Sequence, residues 1–238
     1  MAKSNSQDDT KIIHFLFKDR DRSDILKNPE RKAVAFLVQR IPGYISPNML
    51  TFIGFLGSIV VTVSFALATF VHQSYLLIGI LGFALNWFGD SLDGRLAYFR
   101  NKPRKWYGFV LDITIDWLTS ILIGIGYIIY VDGFGEWFGF AFVVLYGWAM
   151  ITTLLRYKVT NQYSIDSGIL GPTEVRLIIC LLLLSEVLFK NSIVYLTCIA
   201  CCILFTVNII NTFKLLRDAD AVDKENNRLS KEPPTNLN

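Results

Sequence analysis

Charged residues are scarce in this chain: they make up 18% of its 238 residues, against 53% hydrophobic. So low a share excludes an ordinary soluble domain and leaves a polytopic membrane protein. Histidine is nearly absent, and His14 and His72 stand far apart, so no histidine-based catalytic or zinc constellation is expected. The four cysteines, Cys180, Cys198, Cys201 and Cys202, all fall inside apolar runs. Cys198 and Cys201 have the spacing of a metal pair but lack two further ligands nearby, so they read as small packing residues. No segment of about 20–50 residues repeats. The first 30 residues hold no apolar core of signal-peptide length, so no cleaved leader is expected. No nucleic-acid partner is expected either.

What is present is a series of long apolar runs. They predict an all-α polytopic membrane protein with six transmembrane helices, near 49–71, 75–99, 107–131, 137–157, 173–189 and 192–214. The fifth is short and carries Glu186. An amphipathic juxtamembrane helix is expected over about 31–40, lying along the membrane surface among membrane lipids. The chain then divides into an N-terminal arm with that helix (1–45), a six-helix domain (46–217) and a polar tail (218–238), expected to be disordered. Lysine and arginine gather in the N-terminal arm, in 100–105, at Arg156, Lys158 and Arg176, and at Lys214 and Arg217. The loops His72–Ser74 and Asp132–Glu136 hold none. The positive-inside rule therefore puts both termini and the 100–105 turn in the cytoplasm.

Four aspartates stand where membrane helices tolerate few: Asp90, Asp93, Asp112 and Asp116. One aspartate at mid-helix costs about 2.5–3.5 kcal/mol on insertion scales, so four ask for roughly 10–14 kcal/mol. Asp90 and Asp93 are three apart, and Asp112 and Asp116 four apart, so each pair shares a helix face. Folding the chain at Pro103 sets Asp93 opposite Asp112 and Asp90 opposite Asp116, as two rungs about 15 and about 20 Å from the turn. Four like charges in one pocket call for counterions, and buried bases are too few to pair them all. Oxygen-only ligands point to Mg²⁺ or Mn²⁺, and two divalent ions balance four carboxylates.

The same hairpin carries Gly94 and Gly108 beside the carboxylates. Glycine within a helix costs about 1 kcal/mol relative to alanine, which is offset if a nucleotide or a neighbouring helix must approach the backbone. Ser46-Pro47-Asn48-Met49-Leu50-Thr51 reads as a helix start capped by Ser46 or Asn48. Gly171-Pro172-Thr173-Glu174-Val175-Arg176 opens the fifth span. Arg176, Arg156 and Lys105 lie at the cytoplasmic level, where they can meet a phosphate or lipid headgroup, or serve as plain positive-inside anchors.

Asp90-Ser-Leu-Asp93-Gly94-Arg95-Leu-Ala97-Tyr98, then Gly108-Phe-Val-Leu-Asp112-Ile-Thr-Ile-Asp116, resembles the D-x-x-D-G-x-x-A-R…G-x-x-x-D-x-x-x-D signature of the CDP-alcohol phosphotransferases. The resemblance implies an integral membrane enzyme, usually dimeric, that moves a phosphoalcohol from a CDP-linked donor to an acceptor hydroxyl and releases CMP. It implies that Asp90, Asp93 and Asp112 are metal ligands and that Asp116 is both ligand and general base. It places Gly94, Ala97, Gly108, Asn48 and Thr51 at the nucleotide pocket. This chain departs at Tyr98, where the family has arginine, and nine residues separate Tyr98 from Gly108. Arg95, on the same face three residues earlier, and Arg100 are the candidates to replace that charge. The donor is expected to carry diacylglycerol and the acceptor to be a small polar alcohol. A CDP-headgroup donor with a lipid acceptor is the alternative. A cation transporter using the same carboxylates is the reading from another class.

Overall fold

The computed structural model describes Ile13, Phe17, residues 26–160 and residues 172–230. Among these there is no strand, and seven α-helices follow one another. They are α1 (Lys27–Val38), α2 (Pro47–Phe70), α3 (Leu76–Phe99), α4 (Lys105–Tyr130), α5 (Glu136–Thr160), α6 (Pro172–Leu188) and α7 (Ser192–Leu229). Short 3₁₀ turns at Gln73–Tyr75 and Gly133–Gly135 lead into α3 and α5.

Among the described residues, five segments are long and apolar enough to cross a membrane: Pro47–Phe70, Gln73–Phe99, Lys105–Tyr130, Gly133–Thr160 and Ser192–Arg228. Their outer faces leave Phe52, Leu81 and Phe213 largely exposed, as lipid contact requires. The helix in the place of the expected fifth span, α6, has 17 residues. At 1.5 Å per residue it is about 25 Å long, short of a roughly 30 Å hydrocarbon layer. It also carries Glu174, Arg176 and Glu186, so it is not among the five.

Local chemistry explains the helix ends near the 100–105 turn. Ser46 caps α2, its Oγ accepting the Met49 amide at 3.2 Å with Pro47 in the first turn. Asn48, the other expected cap, bonds instead to Arg104 and Tyr107. Past the end of α3, Asn101 takes φ 53° and the Lys102 amide returns to the Ala97 carbonyl at 3.0 Å. That left-handed step closes the helix, and Pro103 cannot continue it.

Glycines decide how the spans pack. A Cβ on Gly57 would lie 2.5 Å from the Asn86 amide and the Gly82 carbonyl, and one on Gly89 would strike the backbone at Leu50 and Gly54. The α2 and α3 backbones are therefore nearly in contact, as small residues allow in membranes. The same α2 packs on α4, whereas α3 and α4 scarcely touch each other. The hairpin arms are held apart with α2 wedged against both. On the other side α5 packs against α4 and α7, and α6 bridges α3 and α7.

Two apolar clusters result. One gathers Val61, Phe65, Phe83, Ile123, Tyr127 and Leu183. The other seats Val34 and Val38 of α1 on Leu50, Leu92 and Leu96. Along α3, Asn86 and Asp90 fall between Phe83 of the first and Leu92 of the second.

The tail departs from expectation. Residues 218–229 continue α7 as helix, where polar composition predicts disorder. Pairs at helical spacing, Asp220 with Lys224 and Glu225 with Arg228, favour helix over coil there. Residues 231–238, most of residues 1–25 and residues 161–171 lie outside the described residues.

Candidate functional site

Asp90 of α3 and Asp112 and Asp116 of α4 each direct one carboxylate oxygen to a common point, all within 4.8 Å of one another and half-buried. Two like charges at that separation repel by roughly 3–4 kcal/mol at an effective dielectric of about 20. Such a cluster needs positive charge. Its donors are oxygens only, which suits a hard divalent cation such as Mg²⁺ or Mn²⁺. Space for a further ligand is present as well. A Cβ built on Gly94 or Gly108 would meet nothing within 4 Å. Neighbouring-helix packing therefore does not account for either glycine. The residues fit a divalent ion.

The two-rung arrangement expected from the spacing forms in part: Asp90 and Asp116, expected opposite one another, both join the converging group. Asp93 stands outside the tight group, and Thr51 on α2 donates its hydroxyl to Asp93 Oδ2 at 2.5 Å. The arms of the hairpin make few backbone contacts with each other, and their carboxylates meet across the space between them. One base does pair within the group: Arg176 on α6 donates Nη2 to Asp90 Oδ2 at 2.6 Å. Arg176 thus meets a carboxylate of this chain at the place where a phosphate or headgroup was expected.

A cavity of about 1230 Å³ opens beside the cluster. Every candidate metal- or substrate-binding residue named from the sequence lines it, from Asn48 and Thr51 through the hairpin to Arg156 and Arg176. The cations differ in what holds them. Arg100 donates to the carbonyls of Ile45, at 2.5 Å, and Pro42, at 2.9 Å, and so braces the turn before α2. Arg95 is buried, with its guanidinium 4.5 Å from the centre of the Phe17 ring. Arg156 donates to the Asn211 carbonyl at 3.3 Å, and Lys105 lies 5.8 Å from the Trp106 ring. Arg104, not singled out before, bonds Asn48 Oδ1 at 2.5 Å and stacks on Tyr107 at 4.1 Å. Ala97 and Tyr98 line the wall on α3.

Sequence reasoning missed a buried polar layer behind the aspartates. Asn86 accepts from Arg176 Nε at 2.8 Å and donates to the Gly54 carbonyl and Ser58 Oγ, each at 3.1 Å. Ser58 pairs with Thr119 at 2.8 Å. The available signal was spacing: Asn86 precedes Asp90, and Thr119 follows Asp116, at helical intervals that share a face. The site also borrows from α1. Its first amide, at Leu26, donates to Glu174 Oε1 at 2.8 Å, and Thr173 donates to Glu30 Oε2 at 2.9 Å. These bonds fasten α1 beside the start of α6, where Glu30 and Val34 wall the cavity.

Comparison with known proteins agrees with this geometry. The family model described as CDP-alcohol phosphatidyltransferase matches residues 44–209, a stretch that includes all four aspartates. An archaetidylinositol phosphate synthase of Pyrococcus horikoshii is 37% identical over 128 residues. That match covers 52% of this chain and 62% of the relative, so it spans less than two thirds of that protein's length.

Proposed function

This chain belongs to the CDP-alcohol phosphatidyltransferase family, and on that premise we propose that it is an integral membrane transferase of phospholipid biosynthesis. It moves a phosphatidyl group from CDP-diacylglycerol to the hydroxyl of a small alcohol and releases CMP. The observation that carries this reading is the convergence of Asp90, Asp112 and Asp116 on one point at the edge of a 1230 Å³ cavity. That volume exceeds the roughly 300–1,000 Å³ of a pocket for one drug-sized ligand, so donor and acceptor have room together.

Asp90, Asp112 and Asp116 would hold a divalent ion, and Asp93, which lines the same cavity, would supply charge for a second. When bound, the metal neutralises the donor diphosphate and orients it for in-line displacement. The protein's own groups do the rest. Gly94 and Gly108 leave the helix backbones open for the nucleotide to approach. Arg95 supplies the positive charge that the family's arginine would bring at Tyr98. Asp116 takes the proton from the acceptor hydroxyl as its oxygen bonds the phosphatidyl phosphorus. The bond from that phosphorus to CMP breaks as the new one forms.

The acceptor carries a phosphate of its own. Arg104, Lys105 and Arg156 line the cavity and suit such a group, and the Pyrococcus relative's name ends in a phosphate product. Both termini and the 100–105 turn face the cytoplasm, in keeping with the basic residues at those levels. The protein acts as a homodimer.

Purified protein in detergent, given radiolabelled CDP-diacylglycerol with inositol phosphate, glycerol phosphate or serine, tests the reading. Mn²⁺- or Mg²⁺-dependent CMP release with one acceptor and formation of its lipid is the expected result. Release only from a CDP-headgroup with diacylglycerol would reverse the direction of transfer. Metal-dependent ion flux in liposomes without CMP would replace the enzyme with a transporter.

A further inference from the structure

Asn86 is buried at 3% exposure within a membrane span, and the proposed chemistry gives it no part. A polar amide there is costly unless each of its atoms is bonded. All are engaged. Oδ1 accepts the Arg176 Nε–H at 2.8 Å, while Nδ2 donates to the Gly54 carbonyl and to Ser58 Oγ. The amide has one workable orientation, since a flip would turn its NH₂ on the Arg176 donor and leave the Gly54 carbonyl without its bond. Through Ser58 and Thr119 the same network reaches α4 three residues past Asp116.

The guanidinium is a rigid planar fork. With Nε anchored on Asn86, Nη2 is aimed at Asp90 Oδ2 at 2.6 Å. We propose that Asn86 is a positioning residue: by fixing Arg176 it holds the Asp90 carboxylate in the orientation that binds a divalent cation with Asp112 and Asp116, and so sets the cation affinity of the cluster. This rests on reading the cluster as a cation site. Groups that orient metal-binding carboxylates commonly change affinity by 10–100-fold when lost. Removing Asn86 keeps the arginine charge in place and takes away only its aim.

The test is Mn²⁺ binding to the full-length protein in detergent, followed by the electron paramagnetic resonance signal of free Mn²⁺, without substrate. Asn86→Leu is expected to weaken binding about 10-fold or more. Arg176→Lys retains the charge without the fork and is expected to lose a similar factor. The double variant should bind no worse than the weaker single one, because both changes break one linkage. A merely structural Asn86 would lower thermal stability and leave the affinity of the folded protein unchanged. Wild-type affinity in Asn86→Leu, or losses that multiply in the double variant, overturns the proposal. Should Asn86→Leu fail to fold, wild-type affinity in Arg176→Lys overturns it equally. If the wild type binds Mn²⁺ but releases no CMP, the transferase reading fails and this inference stands. If CMP is released and Asn86→Leu binds Mn²⁺ normally, this inference alone fails. A wild type that binds no Mn²⁺ sinks both.

Discussion

The Thr51 hydroxyl donates to Asp93 Oδ2 at 2.5 Å, joining the first turn of α2 to an aspartate 42 residues later. Asp93 is not among the three carboxylates that converge. Both residues line the cavity, so the bond sits at its wall. Thr51 is 8% exposed, which makes the bond hard to replace with water.

Thr51→Val keeps the shape and removes the donor. Losing a hydrogen bond to this half-buried carboxylate costs about 1.5–3 kcal/mol. The expected outcome is a fall in melting temperature together with weaker Mn²⁺ activation of CMP release. Thr51→Ser, which keeps the hydroxyl, should recover most of both. An equal loss of Mn²⁺ activation in the two variants would remove the bond from consideration.

Asp116→Asn keeps volume and polarity while removing the charge and the base. CMP release should drop by roughly 10²–10⁴, with the protein still eluting as a folded species. Chelation of wild-type protein should also abolish release, and added Mn²⁺ should restore the wild type and not the variant. Retained release in Asp116→Asn would assign the base elsewhere.

Two glycines give opposite expectations. Gly89→Ala places a Cβ against the backbone at Leu50 and Gly54, so overpacking of about 1–3 kcal/mol should appear as a lower melting temperature. Gly94→Ala meets nothing and gains helix propensity of about 1 kcal/mol. Its stability should hold or rise while the donor Michaelis constant increases. A Gly94→Ala enzyme with unchanged kinetics would leave that glycine without a part in donor binding.

Arg95→Ala should raise the donor Michaelis constant by about 10–100-fold, the worth of one charged hydrogen bond. It also removes one of the two guanidinium groups that stack on Phe17, the other being that of Arg31. Arg95→Gln separates the two effects, since it keeps most of the packing and loses the charge. If Arg95→Gln binds the donor normally, the charge missing at Tyr98 is not supplied from Arg95.

Much of this protein is written in short-range spacing. Apolar runs predict six spans, and among the described residues five helices are long and apolar enough to cross a bilayer. The 3- and 4-residue intervals at Asp90–Asp93 and Asp112–Asp116 put acidic groups on one helix face whatever the rest of the chain does. Ser46 and Pro47 mark the start of α2 from the sequence alone. The expected fifth span, 173–189, forms as α6 over nearly the same residues and is short, as its sequence predicts; that its Glu174 and Arg176 bond to neighbouring helices could not be read from spacing.

The sequence by itself determined a bundle of membrane helices with its acids confined to one hairpin, since helical periodicity depends only on residues a turn apart. Which acids would meet was decided by the tertiary structure. Glycine contacts bring α2 against α3, α2 wedges the hairpin arms apart, and Asp93 turns to Thr51 while Asp90 turns to Arg176, 86 residues away. Such pairings follow from where separate helices pack, and spacing along one helix carries no record of its neighbours.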